Sequence, residues 1–71
     1  VRDVRDVTIS DDMIRLGQLL KLAGLVESGA DVKGVLDTGV VRINGTVETR
    51  RGRQLHRGDV VALPGQQLRV V

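Results

Sequence analysis

Arg42–Asp59, R-I-N-G-T-V-E-T-R-R-G-R-Q-L-H-R-G-D, holds five of the chain's eleven Lys and Arg residues and, before its terminal Asp59, a single acid. Val41, Ile43, Val47 and Thr49 alternate with Arg42, Asn44 and Glu48, the period-two pattern of strand, turn and strand with one face buried and one wet. Asn44-Gly45 supplies the turn, since both residues tolerate positive φ at low steric cost. A two-residue loop sets Ile43 opposite Thr46. A three-residue loop pairs Ile43 with Val47 and Arg42 with Glu48, apolar with apolar and opposite charge with opposite charge, and on that ground it is the expected register.

Beyond the hairpin, Arg50-Arg51-Gly52-Arg53 and then His56-Arg57 read as a loop too polar and too broken by glycine to be core. Residues 42–57 carry a formal charge of +4 against +2 for the whole chain, so the basicity is a local patch. Such a patch is the electrostatic footprint of a polyanionic partner, where an isolated charge run would more often be a solvated face. Nine Arg against two Lys favours planar, bidentate phosphate contacts, although a G+C-rich genome gives the same bias. Exposed Arg side chains add little to folding stability, so Arg50, Arg51 and Arg53 are expected to carry affinity and not fold.

Seventy-one residues make one domain, close to the size below which a hydrophobic core alone cannot offset chain entropy. The chain has no Cys, so neither disulfides nor thiolate metal sites can staple it, and it suits a reducing compartment. No apolar run is long enough to span a bilayer and no leader-like segment precedes the domain, so a soluble, cytoplasmic protein is expected. The chain also lacks Phe, Tyr and Trp, the stacking platforms that usually grip splayed single-stranded bases. An RNA partner would therefore be held through phosphates, 2′-hydroxyls and the shape of a duplex or hairpin.

Around this patch, Val4, Val7 and Ile9, set among Asp3, Arg5, Asp6 and Thr8, read as a first strand. Ser10 followed by Asp11 and Asp12 resembles a helix start, and the spacing predicts a helix near Asp11–Ala23 with Met13, Leu16, Leu19, Leu20 and Ala23 as its core stripe. Ile14, Leu22 and Leu25 fall nearly opposite that stripe and are expected to pack within the chain, or else to offer a small apolar surface. Gly24 ends this helix. A second helix, Gly29–Thr38, opens on Ser28 with Asp31 in a capping-box relation, buries Val32, Val35 and Leu36, and closes at Gly39. Gly34 within it marks either a close backbone or ligand approach or a mere weak spot. Gly58-Asp59 and Pro64-Gly65 are turns around a strand Val60–Leu63, with Leu68, Val70 and Val71 returning as a closing strand. The expected order is strand, two helices and four short strands, an α+β domain with helices on one side of a mainly antiparallel sheet.

No catalytic constellation stands out. His56 is the only imidazole, and without Cys or a second His it cannot anchor the usual soft-metal sites. Gly52 is followed by neither a helix start nor a Lys-Ser/Thr pair, so it belongs to no phosphate-cradle loop of known pattern. Neither an enzyme nor a cofactor or metal is expected.

From Ile14 to Val61 the ordered set Arg15-Leu16, Gly24-Leu25, Ser28, Gly39, Val41, Asn44-Gly45 and Gly58-Asp59 resembles the RNA-binding domain named after the fourth protein of the small ribosomal subunit, most of all its stand-alone bacterial group. The resemblance implies an αL motif with its core at about residues 14–61 of a single domain 1–71. It further implies that the second helix and the following hairpin engage structured RNA, with ribosomal RNA among the candidates. By position it carries RNA contact onto Arg15, Lys33, Arg42, Arg50, Arg51 and Arg53. The charge pattern adds Lys21, His56 and Arg57, with Asn44, Gly45 and Gly58 shaping turns, and a monomer is expected. The family often has Arg after the Ser that opens the second helix, and here Gly29 stands there. Two rival readings are a small β-grasp sulfur carrier, which shares V-x-N-G and L-x-x-G-D-x-V but acts through a C-terminal Gly-Gly where this chain has Val70-Val71, and a protein-interaction module using Ile14, Leu22 and Leu25.

Overall fold

A computed structural model describes residues 4–71, so Asp3 of the expected first strand lies outside the described residues. These form seven short strands and two helices: β1 (Val4–Val7), β2 (Met13–Arg15), α1 (Leu16–Leu22), α2 (Gly29–Asp37), β3 (Arg42–Ile43), β4 (Thr46–Val47), β5 (Gln54–His56), β6 (Val60–Leu63) and β7 (Gln66–Val70). Five strands form one sheet in the order β1-β7-β6-β3-β4, antiparallel except where β1 runs parallel to β7. Strands β2 and β5 pair separately. The α+β class and the mainly antiparallel sheet are as expected, but the order contains two strands that the sequence pattern hid.

The first of these replaces the start of the expected first helix. Met13–Arg15 is extended and antiparallel to β5, with Ile14 opposite Leu55, so α1 begins only at Leu16. Ser10–Asp12 is bent chain and caps nothing helical. At the true start, Gln18 Oε1 accepts from the Arg15 backbone N–H at 3.2 Å. Leu16, Leu19, Leu20 and Ala23 are buried as the stripe predicted, whereas Met13 is only half-buried on its strand. Gly24, at φ 77°, ends the helix, its N–H donating to Lys21 O and that of Leu25 to Leu20 O, both at 3.0 Å. Ile14 and Leu25 pack against the core, while Leu22 remains 54% exposed.

Helix α2 begins at Gly29 as expected and ends one residue short of the expected bound, with Thr38 as its C-cap. Ser28 Oγ accepts from Asp31 N, and the Asp31 carboxylate accepts from Glu27 N, one residue earlier than in a capping box. Val32 and Leu36 are buried, and Gly39 closes the helix at φ 74°. Among the described residues nothing lies within 4 Å of where a Cβ on Gly34 would stand; the close approach is at Gly17, where an added Cβ would lie 3.3 Å from Val32 Cγ1 and 3.4 Å from Arg51 Cβ.

The hairpin adopts the two-residue loop, with Ile43 opposite Thr46 and Arg42 opposite Val47, which corrects the expected three-residue register. Asn44 and Gly45 both have positive φ, 50° and 89°, the geometry of a type I′ turn whose twist matches its flanking strands. A one-residue shift exchanges the faces of the second strand. Val47 is consequently exposed, Thr49 is exposed too, and Glu48, whose N–H donates to Val41 O at 2.9 Å, is buried.

Asn44 also joins the two turns. Its Nδ2 donates to Asp59 Oδ1 at 3.1 Å and its Oδ1 accepts from Val60 N at 3.0 Å. Asn44→Ala should therefore lower the unfolding free energy by about 1–2 kcal/mol, through two lost hydrogen bonds and a positive φ that Ala tolerates poorly. Chemical denaturation followed by far-UV circular dichroism checks this, and an unchanged midpoint would count against it.

The core is wholly aliphatic. Leu16, Leu19, Leu20, Leu36, Leu55 and Leu68 are fully buried together with Val32, Val41, Val61 and Val70. Leu55 was hidden in what reads as a polar loop, and it anchors the second unexpected strand, β5.

Candidate nucleic-acid interface

Arg50–Arg53 links β4 to β5 and is fastened to the start of α1 by three hydrogen bonds. Leu16 N donates to Arg53 O at 2.8 Å, Gly17 N to Arg51 O at 2.9 Å, and Arg15 Nη1 to Gly52 O at 3.0 Å. Gly17 lets the loop pack closely on the helix, since an added Cβ would stand 3.4 Å from Arg51 Cβ and 3.5 Å from Arg51 O, and would press on Val32 Cγ1 at 3.3 Å.

Glu48 organises the other side of the loop. Its Oε2 accepts from the backbone N–H groups of Thr49 and Arg50 and from Arg50 Nε, and its Oε1 accepts from Arg50 Nη2 at 3.2 Å and Arg53 Nη1 at 3.1 Å. The Arg50 side-chain hydrogen bonds, followed by the Arg50 backbone N–H, hold the Glu48 carboxyl down at about 2 against a partly opposing desolvation. The loop is thus a formed object, in which Arg50 and Arg53 share the Glu48 carboxylate while Arg51 makes no ion pair among the described residues.

Two concavities flank the loop. One, on the helix side, is lined by Arg15, Gly17, Gln18, Lys21, Gly29, Val32, Arg51 and Gly52, without a carboxylate. Arg51 Nη1 comes within 3.5 Å of the position a Cβ would take on Gly29. The other is lined by Arg50, Gly52, Arg53, Gln54, His56 and Asp59. Both Asp59 oxygens are occupied, Oδ2 by His56 N at 2.8 Å and Oδ1 by Asn44, and the His56 N–H above all holds this carboxyl below its usual range.

The structure therefore brings together Arg15, Lys21 and Arg51 on one side and Arg50, Arg53 and His56 on the other. Three further candidates lie outside both concavities. Lys33 pairs with Asp37 at 3.1 Å along α2, Arg57 bonds Ile9 O and lies 3.5 Å from Asp12, and Arg42 stands on β3 with its Nη1 3.5 Å from Gly45 O. Gly58, at φ 98°, shapes its turn together with Asn44 and Gly45 as expected. Sequence reading missed Glu48 as the loop's anchor and Gly17 as its seat. A lone acid among arginines and a glycine in the first turn of a helix were the available signals.

Two short helices and a small sheet presenting a basic loop are the layout of an αL motif. The chain belongs to the S4 domain family, whose model matches residues 7–71. It is 44% identical over 59 residues to the probable ribosome maturation protein RlbA of Bacillus subtilis, covering 83% of each chain. It is 40% identical over 58 residues to YbcJ of Escherichia coli, covering 82% of this chain and 83% of that one. The solution structure of YbcJ, described as revealing an αL motif involved in RNA-binding, superimposes with a TM-score of 0.67 at 34% identity, over 96% of this chain and 85% of that one. A tyrosine–tRNA ligase of Burkholderia lata is 32% identical over 65 residues, a match spanning 92% of this chain and 16% of the ligase.

Proposed function

We propose that this chain binds structured RNA, duplex or hairpin, through the Arg50–Arg53 loop and the adjoining face of α1, mainly by phosphate contacts. The observation that carries this is the concentration of Arg15, Lys21 and Arg51 around one concavity free of carboxylates, beside a loop whose remaining arginines are held in fixed positions by Glu48. Relatives named for ribosome maturation and for an RNA-binding motif support the same reading and make ribosomal RNA a natural target. Residues 1–71 would act as one monomeric, non-catalytic, cytoplasmic unit with its αL core at about 14–61. Arg42, Arg57 and Lys33 would add charge at a distance, each already engaged by its own neighbour. A β-grasp sulfur carrier gains nothing from the family membership or from the basic loop.

Because aromatic stacking is unavailable, a hairpin RNA should bind more tightly than an unstructured oligomer of equal length. With about four phosphates neutralised, log affinity should fall against log salt with a slope of about −3 to −4, and replacing Arg50, Arg51 and Arg53 by Gln should flatten it by about 2–3. Titrations of parent and variant against one hairpin at several salt concentrations measure this. Equal or tighter binding to a poly-pyrimidine single strand, or an unchanged slope, would contradict it. RNA carried through purification is simple to detect by ultraviolet absorbance, since a chain without Trp or Tyr scarcely absorbs at the long-wavelength protein band.

A further inference from the structure

Resting on that reading, we propose that the Arg50–Arg53 loop is a two-sided wedge that enters a groove of duplex RNA and holds the phosphates of one strand on each side. Its cations point to opposite sides. Arg51 turns towards the helices, its Cβ against Gly17 and its guanidinium beside Gly29. Arg50 and Arg53 are drawn to the other side by their shared partner Glu48.

Gly52 borders both concavities and contributes no side chain, and its carbonyl is latched by Arg15. At Gly52 the crest between the two seats is therefore bare backbone, held by the Arg15 hydrogen bond. Phosphate-binding groups on both flanks of such a crest fit a ligand with two rows of negative charge and a gap between them, which a duplex groove provides. One strand alone can occupy only one flank. The arrangement also gives Glu48 a positioning role, because it supplies the side-chain hydrogen bonds that hold Arg50 and Arg53 on the flank away from the helices.

The test compares two variants of the full chain on an RNA hairpin with a perfect stem and on a single strand of the same length. Lys21→Gln with Arg51→Gln removes two of the three helix-side cations and leaves the Arg15 latch intact. Arg50→Gln with Arg53→Gln removes the other flank; it is made with Glu48→Gln, so that no carboxylate is left unpartnered, and is measured against the parent, with Glu48→Gln alone read separately for the positioning role. Melting curves establish that each variant is folded before binding is compared. On the hairpin, each pair should flatten the salt slope by about 2, and combining them should add the two changes. On the single strand, either pair removed alone should cost little, because the strand can take the other flank, and removing the second pair should then cost most of the remaining salt-dependent binding. A hairpin slope that responds to one pair only, or losses that add equally on the single strand, would overturn the wedge while leaving RNA binding intact. Absence of salt-dependent binding to either RNA would overturn the functional reading and the wedge with it.

Discussion

Leu55→Ala should leave much of the chain unfolded at neutral pH. Leu55 is fully buried, and emptying such a site costs about 2–5 kcal/mol in lost transfer energy and cavity formation. A core of this size supplies a net stability of only about 3–5 kcal/mol, so the loss is comparable with the whole. The effect should reach the loop as well. Leu55 holds β5 against β2, and β5 follows directly from Arg53, so releasing it frees the arginines from α1. Urea denaturation followed by far-UV circular dichroism measures the change. Leu22→Ala is the control, since that side chain is 54% exposed and its truncation should move stability by no more than about 0.5 kcal/mol. A Leu55→Ala midpoint as little changed as that of Leu22→Ala would show that the β2–β5 pair is not part of the cooperative core.

Glu48→Gln should lower stability by about 1–2 kcal/mol at neutral pH, and this difference from the parent should vanish in acid. The direction follows from proton binding. Glu48 has an ordinary value of 4.5 and is held at about 2 in the fold, so between those values the unfolded chain binds more protons than the folded one. Its contribution is complete above about pH 5, declines as pH falls through the window, and is gone below about pH 2. The full shift would correspond to about 3 kcal/mol; the smaller figure allows for solvent screening of a carboxylate held by its own surface loop. Stability curves of parent and variant from pH 7 to 2 should converge. Curves that stay parallel would mean that Glu48 is held by packing and not by its arginines.

The parts of this protein that were legible in its sequence are those fixed by local backbone preference. Asn44-Gly45 and Pro64-Gly65 turn the chain, Gly24 and Gly39 end the helices at positive φ, and Ser28 caps α2, because each conformation depends on the residue itself and its immediate neighbours. The basic patch was equally plain, since net charge along a chain needs no fold to be counted. Tertiary structure alone decided what depended on distant partners. Met13–Arg15 carries the apolar spacing of a helix, yet it is a strand because Gln54–His56, some forty residues on, offers it a ladder and a place for Leu55 in the core. The hairpin register turned on one residue. Charge pairing favoured Arg42 opposite Glu48, but the type I′ turn set Glu48 beside Val41 on the buried side, where Arg50 and Arg53 close over it. Composition could locate the arginines; only the register of two short strand pairs decided which way each would point.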